Sequence, residues 1–133
     1  MGYDTVVIGA QPLSELYRRA YEEERTIVTR NRRVTASSLF RVIHLDRQDL
    51  RGQLRHLTEA AELHIDPAAA FSRCDRCNEE VRLVDKADVQ DRVPPHVFRT
   101  QRTFRACPAC RRVYWAATHH TRITAFLQRI AKE

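Results

Sequence analysis

The chain has 133 residues, of which 43% are hydrophobic and 30% are charged. This composition is typical of a folded protein of one ordinary domain or two small ones, and it excludes a disordered tail or a fibrous repeat. Each apolar run is only a handful of residues long, whereas a membrane span needs roughly 18–20. The first residues show no secretory signal, and three glycines provide no glycine-rich phosphate loop. We therefore expect a cytoplasmic protein with no membrane partner.

The first part of the chain alternates predicted strands and helices. Residues 3–8, 26–29 and 41–45 are rich in β-branched and apolar side chains, which predicts three strands. Apolar residues at helical spacing predict helices over residues 12–21 and 49–63. The strand–helix–strand order favours parallel pairing in an α/β layer.

This predicted layer is incomplete. A parallel sheet is usually covered by helices on both faces, but only two helices accompany three strands. The connection over residues 31–40 is also short for a crossover between parallel strands. We expect an additional N-terminal segment, a second copy of the chain, another protein or the C-terminal helix to complete the sheet.

The second part of the chain follows a linker-like stretch at residues 64–73. Helical spacing of Ile123, Phe126, Leu127 and Ile130 predicts a C-terminal helix that begins near Thr118 or Thr121. We divide the chain into an α/β domain at residues 1–66 and a second domain at residues 67–133.

The four cysteines of the second domain form two C-x-x-C pairs, Cys74 with Cys77 and Cys107 with Cys110. Each pair places two sulfurs on one tight turn, and two such turns supply the four ligands of a tetrahedral structural zinc site. Disulfides and a redox motif fit this pattern less well, and an iron–sulfur cluster usually has different spacing. Structural zinc contributes about 10–16 kcal/mol to the folding of small fingers. The long spacer between the pairs predicts a hairpin or a loop excursion.

The positive charge of the chain is concentrated near its C-terminus. The net charge is +6, and residues 92–132 contain nine basic residues and no acidic one. A stretch of this kind is typical of a surface that binds RNA or DNA phosphate, although it also fits a basic surface without a ligand. Aromatic residues alternate with arginines here, and such rings either stack on bases or form the small core of the domain. The predicted nucleic-acid contacts are Arg99, Arg102, Arg105, Arg111 and Arg112.

Several short motifs resemble the Mut-7-C (mutator-seven C-terminal) RNase-like family. They are Gly2-Tyr3-Asp4, Cys74-x-x-Cys77-Asn78, Val93-Pro94-Pro95, Phe104-x-x-Cys107-Pro108-x-Cys110 and Val113-Tyr114-Trp115. The resemblance implies a PIN-type α/β nuclease domain followed by a zinc ribbon. The expected fold is therefore α/β, with an incomplete PIN-like parallel sheet, a C-terminal zinc ribbon and a terminal helix.

The resemblance also implies a set of carboxylates that hold Mg²⁺ or Mn²⁺ for phosphodiester hydrolysis. In the family an opening strand with the first aspartate precedes the Gly-Tyr pair, and this sequence lacks that strand. Asn31 stands where the family motif Thr-Arg-Asp has its acid. Asp46, just after a predicted strand, remains the candidate catalytic residue. We therefore expect one of three situations. The natural protein has lost catalysis, its sequence begins upstream of residue 1, or another protein supplies the missing strand.

Three functions fit these observations. The first is an RNA-binding zinc-ribbon protein that derives from a PIN-type ribonuclease and is catalytically weakened or inactive. The second is an active Mg²⁺- or Mn²⁺-dependent endoribonuclease of the Mut-7-C type. The third is an adaptor associated with RNA or the ribosome, in which the sheet edge recruits a partner strand from a second copy or another protein.

Overall fold

The computed structural model of the protein describes residues 1–131, apart from the side chains of residues 118 and 119. The chain folds into two compact units. One unit is Val7–His64, and the other joins Met1–Val6 to the chain from Ile65 onward. The α/β prediction is confirmed, since helices accompany a small parallel sheet.

The unit of residues 7–64 contains two helices and two short strands. In chain order they are α1 (Leu13–Glu22), β1 (Ile27–Thr29), β2 (Val42–His44) and α2 (Leu50–Ala60). Strands β1 and β2 pair in parallel, as predicted, with Val28 opposite Ile43. The twelve or so residues that connect them form turns and no helix, so this crossover is shorter than the usual one.

The core of this unit lies between α1 and the sheet. Ala20, Ile27 and Val34 are buried, and the ring of Phe40 stacks on Tyr17 with 5.0 Å between the centroids. The predicted apolar face of α1 is the face that packs here. Asp49 caps α2, because its carboxylate accepts a hydrogen bond from the Gly52 amide at 2.7 Å.

The prediction of a first strand at residues 3–8 is wrong. These residues form no strand, and the first six belong to the other unit. The amide of Thr5 donates to the Asn78 side chain at 2.9 Å, and the Gly2 carbonyl accepts from the Arg73 guanidinium at 3.1 Å. Gly2 has φ +80°, and a Cβ there would lie 2.6 Å from the carbonyl oxygen of Ala69. The β-branched composition is therefore overridden by hydrogen bonds to a distant part of the chain.

The second unit is built on a three-stranded antiparallel sheet. After a 3₁₀ turn (Pro67–Ala69) come β3 (Arg82–Val84), a 3₁₀ helix (Lys86–Arg92), α3 (Pro95–Thr100), β4 (Phe104–Ala106), β5 (Val113–Trp115) and α4 (Thr118–Ile130). The strand order is β3-β4-β5. The spacer between the cysteine pairs is thus an excursion with two helical segments, where the sequence predicted only a hairpin or a loop.

The excursion provides the main core of the second unit. Val89, Val93, Val97 and Phe104 are buried together, and Trp115 packs against them. Phe104 is 1% exposed, so its ring is a core residue and does not face a ligand. Helix α4, which the spacing predicted, is capped by Ala117 where we expected Thr118 or Thr121.

We predict that Phe104→Ala destabilises the protein by about 3–5 kcal/mol, because it removes a buried ring from a closely packed core. Leu83→Ala on the neighbouring strand is the matched control, since Leu83 is 68% exposed and should change stability by less than about 0.5 kcal/mol. Urea unfolding at a fixed metal concentration measures both. Equal effects of the two substitutions would contradict the assignment of this core.

Candidate metal centre

The first cysteine pair lies on a tight turn before β3. The Cys74 sulfur accepts hydrogen bonds from the amides of Arg76 at 3.4 Å and Cys77 at 3.3 Å. The turn closes where the amide of Asn78 donates to the Cys74 carbonyl at 2.9 Å. Asn78 has φ +62°, in the left-handed region that asparagine tolerates better than most residues.

The second cysteine pair repeats this geometry between β4 and β5. The amide of Cys110 donates to the Cys107 sulfur at 3.5 Å, and the Arg111 amide donates to the Cys107 carbonyl at 2.9 Å. Arg111 occupies the position of Asn78 and has the same φ of +62°. The two C-x-x-C motifs therefore fold into equivalent knuckles, which the identical spacing had indicated.

The two knuckles bring all four thiols together. The four Sγ atoms lie within 4.8 Å of one another, and those of Cys74 and Cys110 are 3.6 Å apart. Four sulfurs at 2.3 Å from a tetrahedral ion would be about 3.8 Å apart. All four cysteines are free thiols, and Cys74 and Cys107 are buried. The residues therefore fit a closed four-sulfur metal site.

Tyr114 links this cluster to a nearby ion pair. Its hydroxyl lies 3.0 Å from the Cys74 sulfur and 2.6 Å from a carboxylate oxygen of Asp75. The Arg112 guanidinium also donates to Asp75 at 3.0 Å. Such outer contacts orient metal ligands and tune their basicity. The sequence left open whether the aromatic rings of this stretch, Tyr114 among them, stack on bases or form the small core of the domain, and it carried no signal for this role.

The same contacts change the pKa of several groups. Burial raises the pKa of Cys74, but hydrogen bonds from Tyr114, Cys77 and Arg76 outweigh it and lower the value to about 6. The hydrogen bond with Cys110, together with burial, raises the pKa of Cys77 to about 12. The Tyr114 hydroxyl, with a contribution from Arg112, holds the pKa of Asp75 below its usual range. One thiol thus ionises readily while its neighbour resists a second negative charge.

The five predicted arginine contacts all belong to the unit that contains the cysteines, and all are exposed. Arg112 pairs with Asp75 at 3.0 Å. Within the described part of the chain, no ion pair involves the other four, Arg99, Arg102, Arg105 and Arg111. Lys132, at the end of the acid-free stretch, lies outside the described residues. Four guanidinium groups therefore remain available to an anionic ligand.

Asp46 lies in the other unit, just after β2, and its exposed carboxylate is 3.7 Å from the Arg32 guanidinium. Among residues 1–131 as described, the cysteine cluster is the only group of three or more His, Cys, Asp or Glu side chains close enough to share a metal ion. Asn31 accepts a hydrogen bond from the Arg33 amide at 3.0 Å, so its side chain stabilises a turn. Within residues 1–131 the structure therefore brings no set of carboxylates to Asp46.

The chain is similar to one known protein family over nearly its whole length. A family model described as the Mut7-C RNAse domain matches residues 1–127. The chain belongs to the Mut7-C RNAse domain family. No curated protein and no solved structure matches it. As a Mut7-C domain, the protein is ribonuclease-like, and the resemblance found in its short motifs is confirmed.

One negative finding concerns membranes. In the described residues of this Mut7-C domain, none of the helices combines the length and apolar character that crossing a bilayer requires.

We predict that the purified Mut7-C chain holds one metal ion and that Cys107→Ser lowers its metal content at least tenfold, because three thiolates hold an ion less tightly than four. Elemental mass spectrometry of protein purified without added metal measures this. Ala109→Ser is the matched control, since Ala109 lies in the same knuckle but is exposed and offers no ligand in the cluster. A wild-type protein that is folded and metal-free would contradict the assignment.

Proposed function

We propose that this protein is a zinc-containing, RNA-binding member of the Mut7-C family with weakened or lost nuclease activity. The zinc is structural, because four thiolates fill a tetrahedral shell and leave no position for water or substrate. The observation that carries the proposal is the set of exposed arginines without ion pairs in the unit that contains the cysteine knuckles.

The position of these arginines supports binding to phosphate. Arg111 lies in the turn of the second knuckle, and Arg105 lies on β4, the strand that leads into that knuckle. Arg99 and Arg102 flank the end of α3. Their guanidinium groups are planar and suit bidentate contact with phosphate oxygens. Since Asp75 already pairs with Arg112, we regard that arginine as partly neutralised and assign it a smaller share of the contact.

The proposal predicts RNA binding that weakens steeply as salt increases. Each phosphate contact to single-stranded RNA contributes a slope of about −0.7 in log K against log salt. Replacing Arg99, Arg102 and Arg105 by Ala and Arg111 by Gly should therefore reduce the slope by about 3. Glycine suits position 111 because the backbone there has φ +62°. Fluorescence anisotropy with a labelled single-stranded RNA at several salt concentrations gives the slopes.

The matched control removes four exposed arginines from the other unit, by substituting Ala at Arg18, Arg30, Arg47 and Arg55. It lowers the net charge by the same amount and should leave the slope within about 1 of the wild type. Salt-insensitive binding, or equal loss in both variants, would overturn the proposal. A chain that binds no RNA at all would favour the adaptor function, in which the two-stranded β1–β2 sheet pairs with a strand from a second copy or another protein.

A second candidate function is an active Mg²⁺- or Mn²⁺-dependent endoribonuclease, and the match to an RNAse domain over residues 1–127 favours it. In that case Asp46 would hold the ion and help it to activate water.

We expect RNA cleavage in Mn²⁺ to be no more than weak, because Asp46 has no carboxylate cluster around it among the described residues. A cleavage assay with Mn²⁺, with and without EDTA, measures this, with zinc content checked afterwards. Asp46→Asn is compared with Glu59→Gln, another exposed acid of the same unit that pairs with an arginine. The active nuclease would replace the proposed weakened protein if three results are obtained together. Wild type and Glu59→Gln would cleave RNA robustly, EDTA would abolish the cleavage, and Asp46→Asn would abolish it as well.

A further inference from the structure

The cysteine-containing unit has a cavity that neither the metal centre nor the arginine contacts explain. Its volume is about 490 Å³, and it lies between the 3₁₀ turn, strand β5 and the first turns of α4. This volume is within the range of about 300–1,000 Å³ that is typical of small-ligand sites. The walls are largely apolar and include the aromatic residues Phe71, Tyr114 and Trp115.

The aromatic walls suit a flat ligand. The ring of Phe71 stacks on that of His120, with 4.2 Å between the centroids and 27° between the planes. Tyr114 lines the cavity from β5, while its hydroxyl holds Asp75 and the Cys74 sulfur. The metal centre thus fixes one wall of the cavity. Planar bases are bound in this way on rigid aromatic side chains.

The positive charge at the cavity suits a flat ligand that also has an anionic group. Arg105 lines the cavity from β4, opposite Tyr114 in the strand register, and it is exposed and makes no ion pair within the described chain. No described lining residue is acidic. A phosphate beside the cavity would therefore meet a free guanidinium and no opposing carboxylate.

We propose that this cavity receives one unpaired base of single-stranded RNA, while Arg105 contacts the adjacent phosphate. This inference rests on the proposed RNA binding and specifies the form of the RNA. Bases of a duplex are stacked and paired inside the helix, so only a single strand, a loop or an end can insert a base.

The test compares two single-stranded oligonucleotides of equal length with the full-length, zinc-loaded protein. One is a ten-nucleotide RNA, and the other is its abasic counterpart, which retains the phosphates and lacks the bases. We expect the abasic strand to bind about tenfold more weakly or worse, since stacking of one base accounts for a factor of this size. Trp115 is the single tryptophan of the chain, so its fluorescence should change with the RNA and not with the abasic strand.

A cavity-filling variant locates the base. Ala68→Trp places a large side chain at a lining position, and Ala87→Trp places the same side chain at an exposed position outside the cavity. Ala68→Trp should bind the labelled RNA about as weakly as wild type binds the abasic strand, whereas Ala87→Trp should bind like wild type. If Ala68→Trp does not fold, Ala116→Trp fills the cavity from another lining position.

The outcomes separate this inference from the proposed function. Salt-dependent binding of both strands with equal affinity, or equal behaviour of the two tryptophan variants, would overturn the base-binding cavity and leave phosphate binding intact. Binding of neither strand would overturn both.

Discussion

The second unit depends on the convergence of four sulfurs from two distant knuckles. The four Sγ atoms lie within 4.8 Å of one another, and at such separations thiolates repel strongly in a partly buried site. A divalent cation held by the four cysteines would remove this repulsion and at the same time close the long excursion between the knuckles, which would otherwise have a large conformational entropy. Strands β3, β4 and β5 are short, so their antiparallel register needs such a constraint.

The parts of the fold that the sequence predicts are those with a local cause. Helices α1, α2 and α4 follow from apolar spacing, and the knuckles follow from the C-x-x-C motif, because each depends on neighbouring residues. Residues 3–8 have the composition of a strand, yet Thr5 donates a hydrogen bond to Asn78 and the adjacent Gly2 accepts one from Arg73, each more than 70 residues away. The short helix α3 has too few turns to show a period, so its position depends on the core around Phe104.

The same contrast between local and long-range causes applies to the candidate site. The four clustered cysteines were predictable, whereas the contact of Tyr114 with Cys74 and Asp75 depends on the strand register that sets Tyr114 beside Arg105. The cavity forms where the 3₁₀ turn, β5 and α4 pack near one another. No local sequence pattern indicates that these three elements are neighbours. The arginines were predictable as a charged stretch, but only the structure shows that Arg112 pairs with Asp75 while the other four make no ion pair among the described residues.

The division of the chain separates the groups that two proposed chemical roles would use. Asp46 belongs to the unit of residues 7–64, while the knuckles, the exposed arginines and the cavity belong to the other unit. Each unit has its own buried core, around Val34 in one and around Phe104 in the other. Phosphate attraction needs only correctly placed guanidinium groups, whereas metal-assisted hydrolysis needs several carboxylates around the ion. Because the two sets of groups depend on different cores, carboxylates can be lost while the arginine-bearing unit keeps its structure and its exposed guanidinium groups.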